Sequence, residues 1–121
     1  MVELNAGGNE LVFRFPEVHP EAKLEISFRK TLRIPDDGKE YPLPPGLGSF
    51  PMRLVDDFSQ KLPDAWNRDG GVLLPMYQAE AMWVSFNTAK VDGRGAYPFA
   101  IKVSTGKVSA ISGQPLRKGL N

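Results

Sequence analysis

An alternating pattern over residues 24–34 constrains the fold of this chain more than any other feature of its sequence. Apolar side chains recur there at every second position, with polar or charged side chains between them. The apolar series is Leu24, Ile26, Phe28, Leu32 and Ile34, interrupted by Lys30, and the polar series is Glu25, Ser27, Arg29, Thr31 and Arg33. A period of two is typical of a strand with one buried and one solvated face. The pattern predicts a long strand in an antiparallel sheet, where one face commonly meets water.

Two further segments alternate in the same way and predict neighbouring strands. Residues 11–15 alternate until Pro16, which has no N–H to donate to a sheet ladder. From Ala81 onward, Met82, Val84 and Phe86 share one face. The residues before this strand, "PMYQ", are expected to form a bend that follows a further strand at Leu73 and Leu74, with a helical turn across residues 76–81 as the alternative.

The segment "YPFAIKVSTGKVSAIS" predicts a hairpin near the C-terminal end of the chain. A two-residue turn at Thr105-Gly106 would place Val103 opposite Val108 and Ile101 opposite Ala110. In that register Phe99 falls on the same face as these four residues. The turn and the alternation therefore agree on a hairpin with one apolar face.

Between the strands, one segment has the spacing of a helix. Leu54, Val55, Phe58 and Leu62 fall on one helical face, and Pro63 ends the helix at about Leu62. A further short turn can follow before "RDGG". These elements predict a single α+β domain over residues 1–121: a mainly antiparallel, twisted sheet of about five strands, with one or two short helices.

The stretch "EYPLPPGLGSFP", residues 40–51, contains four prolines and two glycines. It could be an extended recognition ligand, a flexible linker or a rigid connection. Its apolar side chains favour a rigid connection that wraps the sheet, because a solvated ligand or linker rarely carries so many. This interpretation predicts that Leu43, Leu47 and Phe50 are largely buried, and their exposure would favour the recognition interpretation instead.

Composition and charge exclude several classes of protein. The net charge is +1, from 15 basic and 14 acidic residues, which argues against a dedicated nucleic-acid-binding protein. The absence of cysteine excludes disulfides, thiolate nucleophiles and zinc–thiolate sites, and it fits a reducing cytosol. The N-terminal residues do not resemble a signal peptide, and no window is apolar enough to span a bilayer. We expect a cytoplasmic protein with no membrane partner and no cofactor.

The sequence contains no complete catalytic motif, and no catalytic or metal-binding residue is predicted. The best candidates for a small-molecule site are Tyr77, Glu80, Trp83 and Tyr97, because Glu80 is a polar group in a mostly apolar run beside aromatic side chains. If Glu80 lines a pocket, we expect burial to raise its pKa. The other interpretation places it on an outward-facing surface.

The single histidine, His19, lies in "EVHPE". An extended backbone would put Glu17, His19 and Glu21 on one side, as in a carboxylate–imidazole metal site or an acid–base cluster. The prolines on both sides favour a charged surface loop over either kind of site.

Three segments together resemble the N-terminal part of a bacterial protein family with no assigned activity. They are "RKTLRIPDDGKEYPLPPGLGSFPMRLVDDF", "GGVLLPMYQAEAMWVSF" and "YPFAIKVSTGKVSAISG", within residues 28–113. The resemblance implies a cytosolic protein whose chain usually continues beyond the hairpin, so that this chain would be a short member or a fragment. Sheet edges that later strands normally cover would then be open, which predicts a homodimer formed by strand pairing.

Three functions remain as hypotheses from the sequence. The first is a non-catalytic binding or assembly domain that acts as an oligomer. The second is an enzyme, or a fragment of one, with a small-molecule pocket near Glu80 and its three aromatic neighbours. The third is weak nucleic-acid binding through Arg29 and Arg33, which the net charge makes the least favoured.

Overall fold

The computed structural model describes residues 2–78 and 80–117, and its main element is a four-stranded antiparallel sheet. The strands are β1 (Val2–Leu4), β2 (Leu11–Arg14), β3 (Lys23–Thr31) and β6 (Ala81–Thr88), in the spatial order β1-β2-β3-β6. Two short helices and two small two-stranded sheets complete the fold. The predicted α+β class with a mainly antiparallel sheet is confirmed.

The long alternating strand is β3, and it pairs on one side with all eight residues of β6. The register runs from Leu24 opposite Thr88 to Thr31 opposite Ala81. The alternation predicted a strand reaching Ile34, but β3 ends at Thr31 because its partner β6 begins there. One residue of the polar series, Ser27, is buried, so that face is not uniformly solvated.

On its other side, β3 is paired first by β2 and then by the end of the proline-rich stretch. β2 covers β3 from Lys23 to Ile26. Beyond it, the Phe50 N–H donates to the Phe28 carbonyl at 2.8 Å. The Lys30 N–H donates to the Gly48 carbonyl at 2.7 Å. Residues 47–50 therefore extend this side of the sheet where β2 stops.

The core is small and lies where residues 50–55 meet the sheet. Phe50 and Met52 are fully buried, and the Met52 N–H donates to the Gly8 carbonyl at 2.7 Å. Gly8 has φ +67°, and a Cβ there would lie 3.4 Å from the Met52 carbonyl oxygen. The positive φ favours glycine at this position, whereas the 3.4 Å approach is an ordinary van der Waals contact. The buried apolar side chains are Val12, Ala22, Leu24, Phe50, Met52 and Val55.

The segment between the core and β6 contains both helices. β4 (Arg53–Leu54) pairs with β5 (Val72–Leu73), and between them lie a 3₁₀ helix, Val55–Lys61, and α1 (Asp64–Asp69). The predicted end of the first helix near Leu62 and the second short turn are both confirmed. The first helix is 3₁₀ rather than α, and Phe58 interrupts it with φ −122° and ψ 20°.

The C-terminal hairpin is present, but the predicted register is wrong. β7 (Ser104–Thr105) pairs with β8 (Val108–Ser109), which places Thr105 opposite Val108. The turn residues are Gly106 at φ 57° and Lys107 at φ 67°. A turn centred on Thr105-Gly106 would force β-branched Thr105 to a positive φ, which is sterically costly, so the turn forms one residue later.

The proline-rich stretch is only partly packed, contrary to prediction. Phe50 is 0% exposed, as expected, but Leu43 is 84% exposed and Leu47 is 53% exposed. The reason is that the sheet contacts begin near the end of the stretch, where the Leu47 N–H donates to the Lys30 carbonyl. The rigid-connection interpretation thus holds for residues 47–50, and the exposed part before them keeps the recognition interpretation open.

Candidate functional site

Three of the four residues predicted to form a small-molecule site lie at one end of the sheet. The Tyr77 N–H donates to Glu80 Oε2 at 2.9 Å, and the Glu80 N–H donates to the Tyr77 carbonyl at 3.0 Å. The Glu80 carboxylate thus closes the turn that leads into β6. Trp83 follows in β6 opposite Arg29, and a Cβ at Gly46 would lie 3.5 Å from its indole Cζ2.

The fourth residue, Tyr97, lies at the opposite end of the sheet. Its ring centroid is 5.7 Å from that of His19, in the loop that precedes β3. Trp83 and Thr88 are five residues apart on β6, so the two ends are separated by roughly 17 Å. The structure therefore brings Glu80 together with Tyr77 but not with Tyr97. Ligand binding by these residues stays a prediction.

A cluster of His19, Glu21 and Asp92 lies beside Tyr97 and joins two loops. The side-chain ligand atoms of these residues lie within 4.8 Å of one another. His19 Nε2 is 3.6 Å from Asp92 Oδ2, and the Asp92 N–H donates to Glu21 Oε2 at 3.1 Å. A cavity of about 390 Å³ adjoins the cluster.

Hydrogen bonding determines what this cluster can do chemically. The Glu21 N–H donates to His19 Nδ1 at 3.0 Å, so Nδ1 acts as an acceptor. In a neutral imidazole the proton then resides on Nε2, the atom that faces Asp92. A metal on Nε2 would require the proton on Nδ1, where it would meet the Glu21 N–H. As arranged, the cluster is a hydrogen-bonded tether between loops.

The sequence suggested His19 and Glu21 only as the less favoured alternative to a charged surface loop, and it gave no sign of Asp92. In the structure His19 and Glu21 do lie together, whereas Glu17 is exposed on the loop. Asp92 lies 71 residues after Glu21 along the chain, and only its position before Gly93 marks it as a turn residue. In the structure it has a positive φ of 51°, which aspartate tolerates better than most residues.

The residues predicted for nucleic-acid binding do not form one continuous basic face. Arg29 is half-buried in β3, and Arg33 lies beyond the end of that strand and is exposed. The intervening Lys30 points to the other face, where its ammonium lies over the Phe50 ring. Nucleic-acid binding also stays a prediction.

The outer edge of β6 is the most distinctive surface of the sheet. Phe28 and Lys30 direct their main-chain groups toward residues 47–50, away from β6. Because hydrogen-bonded and non-hydrogen-bonded positions alternate along a strand, the odd-numbered residues of β3 bond to β6. Their partners are Ala81, Trp83, Ser85 and Asn87.

The alternate residues of β6 therefore direct their N–H and C=O groups outward. These residues are Met82, Val84, Phe86 and Thr88. Within residues 2–78 and 80–117, no backbone hydrogen bond reaches these groups. The edge thus offers a row of main-chain donors and acceptors over the length of an eight-residue strand.

Nothing in the β6 sequence blocks pairing at this edge. Its sequence, AMWVSFNT, contains no charged residue, proline or glycine. The opposite edge of the sheet, β1, has three residues and includes Glu3, which forms an ion pair with Arg14 at 2.6 Å. Short strands and charged residues are the usual protection of sheet edges. The β6 edge has neither.

Comparisons with family models, with curated proteins and with solved structures each found no match for this chain. In the part of the chain that the structure describes, none of the helices has the length and apolar character needed to cross a membrane.

Proposed function

We propose that this protein is a non-catalytic assembly domain that works as a homo-oligomer through the outer edge of β6. The observation that carries the proposal is the uncharged, proline-free edge of β6, with the main-chain groups of four residues directed outward. A strand of this kind is a template for pairing with another strand. A second copy of the chain supplies a strand of matching length.

The amount of exposed surface supports a partner. The accessible surface of the chain is 9595 Å². A compact monomer of 13.4 kDa is expected to expose roughly 6,500 Å². The excess of about 3,000 Å² is larger than the roughly 800 Å² that each partner buries in a standard interface. The isolated chain therefore has ample surface to bury on association.

The apolar face of the sheet at β6 supports the same partner. Met82 and Phe86 are 44% and 43% exposed, although they share a face with Ile26 and Phe28 of β3. Adding a strand beside β6 would cover the exposed sides of both residues. Burial of apolar surface stabilises association by roughly 25 cal/mol per Å² before the costs of binding are subtracted.

The compartment and the organism are part of the proposal. The absence of cysteine supports a reducing compartment such as the cytosol. The resemblance to a bacterial family supports a bacterial source. In the cytosol, the domain would then assemble where its concentration exceeds the dissociation constant of the assembly.

Light scattering coupled to size exclusion tests the proposal. We expect the wild-type chain to elute at twice its monomer mass of 13.4 kDa or more, with a mass that falls on dilution. Phe86→Lys should shift the protein toward monomer, because a two-fold assembly brings a lysine from each copy to the edge.

The matched control is Leu43→Lys, which places the same charge on an apolar side chain that is exposed outside the sheet. This variant should associate like the wild type. A wild-type chain that remains monomeric at high concentration would contradict the proposal, as would equal association of the Phe86→Lys and wild-type chains.

A further inference from the structure

We propose a specific geometry for this assembly: β6 pairs antiparallel with β6 of a second copy, and Ser85 of each copy lies at the two-fold axis. This inference rests on the proposed function and adds the partner strand, its direction and its register. The register places Val84 opposite the partner's Phe86, and Met82 opposite the partner's Thr88.

The direction follows from the two unlike faces of the sheet. Pairing two identical edges antiparallel uses a two-fold axis perpendicular to the sheet, so each face continues onto the same face of the partner. Parallel pairing uses an axis along the strands, and it would set the face that carries Met82 and Phe86 beside the partner's opposite face. Only antiparallel pairing joins the exposed apolar side chains into one surface.

The register follows from which residues direct main-chain groups outward. Two strands exchange hydrogen bonds only between outward-directed residues, which in β6 are the four even-numbered ones. In a two-fold symmetric antiparallel pair, the numbers of any two opposite residues add to the same sum. Because both residues of each hydrogen-bonded pair are even-numbered here, this sum must be even. Pairing Val84 with the partner's Phe86 uses all four outward residues of both copies.

The two neighbouring symmetric registers use fewer of these residues. Centring the axis on Val84 would place Thr88 opposite the partner's Glu80, whose N–H already donates to the Tyr77 carbonyl. Centring it on Phe86 would place Met82 opposite the partner's Lys90, which lies beyond the end of β6 at Thr88. With Ser85 at the axis, each of the four outward-directed residues of β6 lies opposite an outward-directed residue of the partner's β6.

Charge complementarity at the ends of the interface supports the same register. With Ser85 at the axis, Glu80 lies opposite the partner's Lys90, and symmetry repeats this pair at the other end. No charged residue lies between these ends, so the paired strands contain no like charges in opposition. Opposite charges at the rim favour one register over its neighbours more than they add affinity.

Single cysteines can report the register, because the natural chain has no cysteine. Ser85 and the partner's Ser85 would form a non-hydrogen-bonded pair, with Cα atoms about 4.5 Å apart. That separation is within the range that a disulfide spans. We expect Ser85→Cys to form a disulfide-linked dimer under mild oxidation at least tenfold faster than Val84→Cys, Phe86→Cys or the hairpin control Ser104→Cys.

Light scattering on the reduced variants separates the two proposals. Fastest cross-linking by Val84→Cys or Phe86→Cys would overturn the register and leave assembly through β6 intact. A dimer in which none of the three β6 variants cross-links faster than Ser104→Cys would overturn the β6 geometry, while self-association itself would stand. A monomer with no cross-linking above that control would overturn both proposals.

Discussion

The ammonium group of Lys30 lies 5.4 Å from the centroid of the Phe50 ring. This contact explains why a lysine interrupts the apolar series of β3. Its main chain bonds to Leu47 and Gly48, which holds the proline-rich stretch on the sheet beside the ring. The charged side chain thus keeps its ammonium group over the ring of a fully buried aromatic residue.

Phe50 should contribute more to stability than any other residue of the proline-rich stretch. We expect Phe50→Ala to lower the free energy of unfolding by about 3–5 kcal/mol, because it removes a fully buried ring and leaves a cavity. Leu43→Ala should change it by less than about 0.5 kcal/mol, since that side chain is already exposed. Urea denaturation measures both values. Equal losses would show that Leu43 is buried in solution.

A double-mutant cycle tests the contact between Lys30 and Phe50. We expect a coupling free energy of about 0.5–1 kcal/mol between Lys30→Met and Phe50→Leu, since methionine keeps most of the lysine volume without its charge. Lys30→Arg should preserve most of the stability. If Lys30→Met leaves the free energy of unfolding unchanged both in the wild-type chain and in the Phe50→Leu variant, the ammonium group does not interact with the ring.

Local alternation in the sequence was sufficient to predict the strands but not their exact limits. The period of two identified β3 and β6, because each has a more apolar face. The end of β3 at Thr31 depends on where β6 begins, which is about fifty residues away along the chain. The hairpin was placed correctly, and its register differed because Thr105 resists a positive φ. The partner strand thus set the end of β3, and a steric limit on one residue set the register of the hairpin.

The candidate surfaces were harder to predict because they depend on contacts between distant segments. The approach of Asp92 to His19 joins two loops, and no spacing in the sequence indicates it. Proximity in sequence made Glu80 the best candidate for a pocket, although an outward-facing position was favoured, and in the structure its carboxylate bonds to the Tyr77 N–H. The sequence predicted pairing through sheet edges. Identification of β6 as the open edge required the observed strand order.

In its neutral form, the imidazole of His19 should adopt a single tautomer. The Glu21 N–H donates to Nδ1, so the proton of the neutral ring should be on Nε2, facing Asp92. Because His19 is the only histidine, its ring ¹⁵N shifts can be measured by NMR without ambiguity. A neutral ring protonated on Nδ1 would contradict the hydrogen bond to Glu21. It would also free Nε2 to bind a metal together with Asp92.

The hydrogen bond between Asp37 and Tyr41 should shift the pKa values of the two side chains in opposite directions. The Tyr41 hydroxyl donates to Asp37 Oδ2 at 2.6 Å, which lowers the pKa of the Asp37 carboxyl below its ordinary value of 3.8. The Lys39 N–H, which donates to the same carboxyl, lowers this pKa further. The carboxylate in turn raises the pKa of Tyr41 above its ordinary value of 10.0.

The sign of each pKa shift gives a pH window for this hydrogen bond. The lowered pKa of Asp37 means that its contribution to stability is present above pH 3.8 and is lost as the pH falls through the folded-state pKa. The raised pKa of Tyr41 means that its contribution is present below pH 10.0 and is lost as the pH rises through the folded-state value. We expect Asp37→Asn to lower the pKa of Tyr41 toward 10.0 in an NMR titration of the ring, whereas Asp36→Asn should leave it nearly unchanged. Equal effects of the two substitutions would mean that general charge in this turn, rather than the hydrogen bond, raises the pKa of Tyr41.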